Sequence, residues 1–400
     1  MSQIRLAARM GRIQPSATLA LTARAKALAA QGHDVIALTA GEPDFDTPLS
    51  IRESAAARVL KGGSVGRYTP ASGLPDLRKA VAAKFKRDNG LSYAADEVMV
   101  SCGGKHCCFN LVAALVNEGD EVIIPAPYWV SYPEMVRFFG GKPVVVDTSS
   151  TGFVLTPEAL KAAITPRTRL LIVNSPGNPT GVVWSADAQH KLAGVLQGTD
   201  ICVLSDEIYE KLVYDGEHVS FAALSDDAFA RTVTINGVAK AYAMTGWRIG
   251  YAAGEKGLIE AMGALQSHST SNPTTLAQFA TLDALAKDPD ELPAWRKQYR
   301  ERRDAVVAGL NATPGVKCAT PGGAFYVFPD FRAWIGKRHG DIVLKDCTAI
   351  CEALLAKALV AGVPGGEFGA PGFVRFSYAA SDEQLAKAVK RIQQFASELA

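Results

Sequence analysis

Asn236-Gly237-Val238-Ala239-Lys240-Ala241-Tyr242-Ala243-Met244-Thr245-Gly246-Trp247-Arg248-Ile249-Gly250-Tyr251 follows the β-branched run Thr232-Val233-Thr234-Ile235. That run reads as a buried strand. Past it stand one lysine and, eight residues on, one arginine, among small and apolar neighbours. A lysine held at a strand end can form a Schiff base with an aldehyde cofactor. A surface lysine on a loop would carry the same letters, so the rest of the chain has to decide.

Upstream, strands and helices alternate. Strand readings fall at 98–100, 121–124, 143–146, 169–173, 201–204 and 233–235, with helices at 106–116, 131–139, 157–163 and 185–196 between them. Strands separated by helices give a mostly parallel sheet covered on both faces. Helices are also expected at 19–31, 49–60 and 75–89, with a short strand at 35–38. After about residue 280 the texture changes. Long helices are expected at 275–287 and 293–311, strands at 324–328 and 374–378, and helices at 346–361 and 382–398. The fold class is therefore α/β, a large domain with a mostly parallel sheet flanked by helices plus a smaller α+β domain. The large domain is expected over 49–290, and the small one over 1–48 with 291–400. Arg300, Arg302 and Arg303 read as a solvated face of the helix at 293–311.

Composition bounds the function. Four hundred residues exceed what one core usually supports. A net charge of +2 implies no polyanionic partner, so nucleic acid is not expected. No apolar run approaches a membrane span. The seven cysteines include no CxxC pair, which argues against a zinc site or a disulfide framework and suits a reducing cytoplasm. The first thirty-three residues lack Asp and Glu and carry Arg5, Arg9, Arg12, Arg24 and Lys26. A transit peptide has such a composition. A basic arm and first helix of the mature protein is preferred, because chemistry-bearing residues begin at Pro15-Ser16.

In open α/β sheets ligands bind at the carboxyl ends of strands, and the informative residues fall there. Cys102-Gly103-Gly104-Lys105 lies between a strand and a helix, where glycines and free N–H groups suit a phosphate. It lacks the P-loop spacing, and no G-x-G-x-x-G follows a strand. Asp206, in Ser205-Asp206-Glu207-Ile208-Tyr209, is either a helix N-cap or a placed carboxylate. Asn174-Ser175-Pro176-Gly177-Asn178-Pro179-Thr180-Gly181 is a tight loop, open to a cis X–Pro bond, or an amide presented to a ligand. Trp129 is a core aromatic or a stacking plate. In conjunction, a lysine, a carboxylate, a phosphate-suited loop, an aromatic and an arginine at the ends of one sheet are what holding pyridoxal phosphate requires.

On these residues the chain resembles the class I pyridoxal-phosphate-dependent aminotransferases of fold type I, close to the bacterial aspartate aminotransferase subgroup. The resemblance runs from Pro15-Ser16-Ala17-Thr18 to Val374-Arg375-Phe376-Ser377. It takes in Gly41-Glu42-Pro43-Asp44-Phe45, Tyr128-Trp129, Asn178-Pro179-Thr180-Gly181, Ser205-Asp206-Glu207-Ile208-Tyr209 and the Lys240 stretch.

It implies pyridoxal 5′-phosphate on Lys240, with Asp206 at the pyridine nitrogen, Tyr209 and Asn178 at the phenolic oxygen and Trp129 against the ring. Gly103, Gly104, Lys105 and Arg248 would surround the phosphate. Tyr68 would reach the cofactor of a second subunit, in a homodimer with shared sites. Arg375, beside Gly41, would take the substrate α-carboxylate, while Ser16, Thr18 and Lys105 would line the pocket for a distal carboxylate. The implied activity is amino transfer between aspartate or glutamate and a 2-oxo acid by a ping-pong route, with small amino acids and 2-oxo acids as partners and no metal. An aspartate/prephenate or broader aminotransferase, or a lyase on the same fold, is the alternative.

Three positions depart from the family pattern. Gly237 stands where relatives often carry a hydroxyl, Gly177 where an asparagine often precedes Asn178, and the segment 267–273 holds no arginine.

Overall fold

The structure is a computed structural model. It describes residues 4–14 and 17–400, with side chains from residue 22 in the second stretch. Ser16 therefore lies outside the described residues, as does the side chain of Thr18.

Fourteen strands occur among the described residues: β1 (Ile36–Ala37), β2 (Val98–Ser101), β3 (Glu121–Ala126), β4 (Lys142–Asp147), β5 (Thr168–Asn174), β6 (Cys202–Asp206), β7 (Thr232–Gly237), β8 (Gly250–Ala253), β9 (Tyr326–Val327), β10 (Arg338–His339), β11 (Ile342–Val343), β12 (Val360–Ala361), β13 (Val363–Pro364) and β14 (Val374–Ser377). Seven form one sheet in the order β2-β8-β7-β6-β5-β3-β4. The pairs β7–β6, β6–β5, β5–β3 and β3–β4 are parallel, and β8 runs antiparallel to both β2 and β7.

The alternation of side chains explains why these strands read as continuous apolar runs. Val122 and Ile124 of β3, and Leu170 and Ile172 of β5, pack into one cluster with Leu111 and Met262. Ile123, Leu171 and Val173 point to the other face and pack with Leu192 and Leu196. A sheet buried on both faces needs apolar residues at both parities. α1 (Ala17–Ala30) packs beside β1, β12 and β13. The helices around the seven-stranded sheet include α2 (Leu49–Lys61), α3 (Pro75–Asn89), α4 (Gly104–Leu115), α5 (Ser131–Phe138), α6 (Pro157–Ala163), α7 (Ala186–Leu196), α8 (Asp226–Arg231), α9 (Lys256–Ser267) and α10 (Thr275–Ala286). Ser185 caps α7 and Thr156 caps α6, each side chain accepting from the backbone N–H three residues on.

Beyond these lie α11 (Leu292–Asn311), α12 (Cys347–Ala353) and α13 (Asp382–Ser397). They pack around the three-stranded sheet β13-β14-β9. β1 pairs in parallel with β12, so residue 36 lies opposite residue 360.

The structure corrects three expectations. The first is the missing strand β8. Gly250-Tyr251-Ala252-Ala253 carries little β-branched signal, yet it is fully buried between β2 and β7. The second is the helix expected over 346–361. Its regular helical turns end at Ala358, Leu359 takes the left-handed conformation at φ 54°, and Val360–Ala361 becomes a strand. Third, of the three arginines read as a solvated face of α11, Arg300 is exposed but the other two are not. Arg302 and Arg303 are 6% and 3% exposed. Arg302 donates to Asp44 at 2.9 Å and to Asp382 at 2.7 Å, and Arg303 pairs with Asp215 and Asp304. Each guanidinium is buried because carboxylates from other segments meet it.

Candidate active site

The strand ends deliver one residue group each. β2 ends at Ser101 and turns through Gly103 into α4. β3 leads to Trp129, β5 ends at Asn174 ahead of Asn178, β6 ends on Asp206, and β7 leads to Lys240. These ends open onto a cavity of about 420 Å³. Of the residues expected at the site, Gly41, Gly104, Lys105, Trp129, Asn178, Asp206, Tyr209, Lys240, Arg248 and Arg375 line it. Gly103 sits immediately behind the wall. Tyr68 stands away from it, 93% exposed.

Lys240 is half-buried, and its amine donates to the Gly41 carbonyl. Burial pushes its pKa down from 10.5 to about 8, against the pull of Glu42, with Arg375 adding to the fall. An amine so placed is a free base far more often at neutral pH than an exposed lysine, which is what nucleophilic addition to a carbonyl requires.

Asp206 is buried, and its Oδ2 accepts from the Tyr132 hydroxyl at 2.6 Å. Burial raises its pKa, while the Tyr132 bond and the Ile208 N–H hold it down. A buried carboxylate with only neutral donors gains most from a cationic group brought to it. Asn174 donates to the Asp206 carbonyl at 2.9 Å, fixing the strand end.

The opposite end of the cavity suits an anion. Gly103 caps α4 at φ 93°, a conformation that favours glycine. A Cβ there would lie 2.6 Å from Arg248 Nη2. Gly250 is equally constrained, since a Cβ on it would sit 2.1 Å from the Gly104 nitrogen. So β8 runs directly against the start of α4, and only glycines allow the approach. Arg248, at φ 57°, donates to the Thr245 carbonyl at 2.9 Å. Lys105 lies 4.8 Å from the Trp129 ring centroid, and burial, then the nearby Arg248, depresses its pKa. Two cations and a helix N-terminus converge here.

A second anion position surrounds Arg375. The side chain is 3% exposed; Nη1 donates to Asn178 Oδ1 at 2.9 Å and Nη2 to the Thr39 carbonyl at 2.8 Å. Its buried Nε has no hydrogen-bond partner among the described residues. A buried guanidinium with a donor to spare is a receptor for a carboxylate.

Sequence reasoning passed over Tyr326, Tyr132, Asn174, Glu42 and Thr245, which also line the cavity. Glu42, Asn174 and Thr245 lay inside quoted motifs. Tyr132 and Tyr326 lay inside an expected helix and strand, where an aromatic reads as core. The loop holding Asn178 contains cis bonds at Ser175–Pro176 and Asn178–Pro179. Glu207, Glu210 and His218 lie close enough together to surround a cation. That charge is already met from within the protein. His218 Nε2 is 3.0 Å from Glu207 Oε2, and the Lys84 ammonium sits against Glu210.

Comparison with known proteins places this geometry. The family model described as aminotransferase class I and II matches residues 33–392. An aspartate aminotransferase of Geobacillus stearothermophilus is 48% identical over 397 residues, covering 98% of this chain and 99% of the relative. An aspartate/prephenate aminotransferase of Cereibacter sphaeroides is 49% identical, covering 98% of each. Among solved structures, the aspartate aminotransferase of Rhizobium meliloti superposes with a TM-score of 0.96 at 44% identity, covering 100% of both chains. That of Thermus thermophilus with maleate gives 0.90 at 47% identity, covering 98% of this chain and 100% of the other.

Proposed function

The chain belongs to the class I and II aminotransferases, and from that premise we propose that it moves an amino group between aspartate or glutamate and a 2-oxo acid, using pyridoxal 5′-phosphate. One observation carries the reading. Lys240 and Asp206, from adjacent parallel strands, open onto the same cavity as the buried Arg375 with its spare donor.

The residues fit the cofactor. A depressed amine suits its aldehyde, a buried carboxylate its ring nitrogen, and the Gly103 turn with Gly104, Lys105 and Arg248 its phosphate. When bound, the cofactor supplies an electron sink for negative charge developing at the substrate Cα. The protein does the rest. Arg375 and the backbone at Gly41 would orient the α-carboxylate, and Trp129 would cover the ring. Asp206 would keep the ring nitrogen protonated, and Tyr209 and Asn178 would hold the phenolic oxygen. Lys240 Nζ would take the proton from the substrate Cα and deliver it to the cofactor's former aldehyde carbon, so that the proton changes carbon. Two half-reactions follow in turn, the second reversing the first with another 2-oxo acid.

Lys105, with Ser16 and Thr18, is proposed to receive the distal carboxylate of a dicarboxylic substrate. The segment 267–273 offers no arginine for that task. The name of the Cereibacter relative favours prephenate as a second acceptor. We read the chain as a homodimer with shared sites. Tyr68, 93% exposed, would enter the partner's site, and Leu60 and Val59, 88% and 52% exposed, support an apolar contact there. The division into 49–290 and 1–48 with 291–400 belongs to the same proposal, supported by the pairing of β1 with β12. Among the described residues no helix is long and apolar enough to cross a membrane, and all seven cysteines are free thiols, which suits the cytoplasm.

The test is an acceptor screen with oxaloacetate, 2-oxoglutarate, prephenate and phenylpyruvate against glutamate or aspartate. Parallel initial-rate lines with oxaloacetate or 2-oxoglutarate are expected. Intersecting lines, or pyruvate release from a cysteine conjugate without a 2-oxo acid acceptor, would contradict the proposal.

A further inference from the structure

Tyr326 is the fully buried cavity-wall phenol to which the scheme above gives no task. It comes from β9, where it lies opposite Ser377 of β14, two residues beyond Arg375. Its hydroxyl is 2.8 Å from the Tyr209 hydroxyl. The Arg375 guanidinium carbon is 4.6 Å from its ring centroid. A Cβ on Gly41 would lie 3.0 Å from the Tyr326 oxygen, so the phenol touches the backbone whose carbonyl accepts from Lys240. One side chain thus borders the carboxylate receptor, the phenol beside Asp206 and the lysine's resting contact.

We propose that Tyr326 is a positioning residue that couples carboxylate capture at Arg375 to the donor strength of Tyr209, and so to the proton held at Lys240. The inference rests on the roles proposed above for Lys240, Tyr209 and Arg375.

The physical chain is short. Burial pushes both phenols up, and Arg375 pulls both back. The guanidinium lies 4.6 Å from the Tyr326 ring centroid, so Tyr326 is assigned as the donor in the 2.8 Å pair with Tyr209. Tyr209 then keeps its own proton for the cofactor's phenolic oxygen, and hydrogen bonds in such a chain strengthen one another. A carboxylate on Arg375 cancels much of the guanidinium's field at Tyr326. Tyr326 becomes a poorer donor, Tyr209 follows, and more negative charge stays on the phenolic oxygen beside the lysine nitrogen. That nitrogen then holds its proton to higher pH.

The experiment uses the loaded enzyme and reads the pH midpoint of its visible absorbance band, with and without succinate, a dicarboxylate that has no amino group to transfer. In the unmodified protein succinate raises the midpoint. In Tyr326→Phe the midpoint without succinate is already higher by about half a pH unit, and the succinate shift falls to roughly half or less. Tyr209→Phe and the double variant give the same midpoint, because Tyr326 acts through Tyr209. Tyr326→Phe keeps the ring under Arg375 and leaves KM for aspartate near its original value. Tyr326→Leu loses the ring face and raises KM about tenfold. Thermal midpoints confirm that each variant is folded. A Tyr326→Phe protein that titrates like the unmodified one under both conditions overturns the coupling. So do fully additive effects of the Tyr209 and Tyr326 changes. An unmodified protein with no titrating visible band overturns the cofactor reading itself.

Discussion

The hydroxyl of Tyr132 donates to Asp206 Oδ2 at 2.6 Å, and among the described residues no other side chain donates to that carboxylate. The same tyrosine meets Trp129 edge-on, with ring centroids 5.2 Å apart. One residue at the start of α5 therefore touches both the Asp206 carboxylate and the Trp129 ring.

Tyr132→Phe leaves the buried Asp206 with the Ile208 N–H as its remaining donor. Losing a donor to a buried charged acceptor costs about 1–3 kcal/mol. Part of that cost shows as weaker cofactor retention, roughly tenfold in dissociation constant. Equilibrium dialysis of the variant measures it, and unchanged affinity would show that Asp206 needs no such support.

Desolvation, with Arg375 adding to it, pushes the pKa of the half-buried Lys240 down to about 8. In cofactor-free protein, acylation of this lysine is expected to rise through a midpoint near 8, as judged by mass spectrometry of the peptide containing it. A Lys240 midpoint at the model-peptide value of about 10.4 would contradict the burial argument.

His218 and Glu207 form a pair 8% and 1% exposed. Burial opposes the imidazolium, but Glu207 outweighs it and His218 is raised above 6.5. A raised folded pKa stabilises fully below the unfolded value and loses that contribution as pH climbs through the folded one. Breaking a buried pair costs about 3 kcal/mol. His218→Gln should therefore lose most stability at pH 6 and visibly less at pH 9, measured by urea unfolding. An equal loss at both would mean that His218 does not change protonation between them.

Gly250→Ala places a methyl where 2.1 Å separates it from the Gly104 nitrogen. Backbone, not a flexible side chain, must move, so α4 shifts from β8. A loss of about 2–3 kcal/mol is expected, by analogy with overpacked cores. Phosphate protection of the cofactor-free protein should fall with it. Gly246→Ala meets nothing within 4 Å and serves as the control.

Much of this arrangement was legible in the chain because buried parallel strands must be apolar at both parities, as in Leu170-Leu171-Ile172-Val173. The turns after those strands then stood out by their glycines and charges. What escaped depended on neighbours distant in sequence. Arg302 looks solvated until Asp44 and Asp382 are brought to it across 258 and 80 residues. Tyr326 looks like core until Tyr209 arrives from 117 residues away. β8 is a strand because β2 and β7 flank it, not because Gly-Tyr-Ala-Ala prefers one.

The central claim is that Lys240 is the group on which amino transfer turns. The most direct measurement is steady-state transamination from aspartate to 2-oxoglutarate by Lys240→Ala, with the visible spectrum of the same sample. Turnover should fall to the background of the uncatalysed reaction, and the titrating visible band should be absent. A variant that keeps either the band or measurable steady-state turnover would contradict the account.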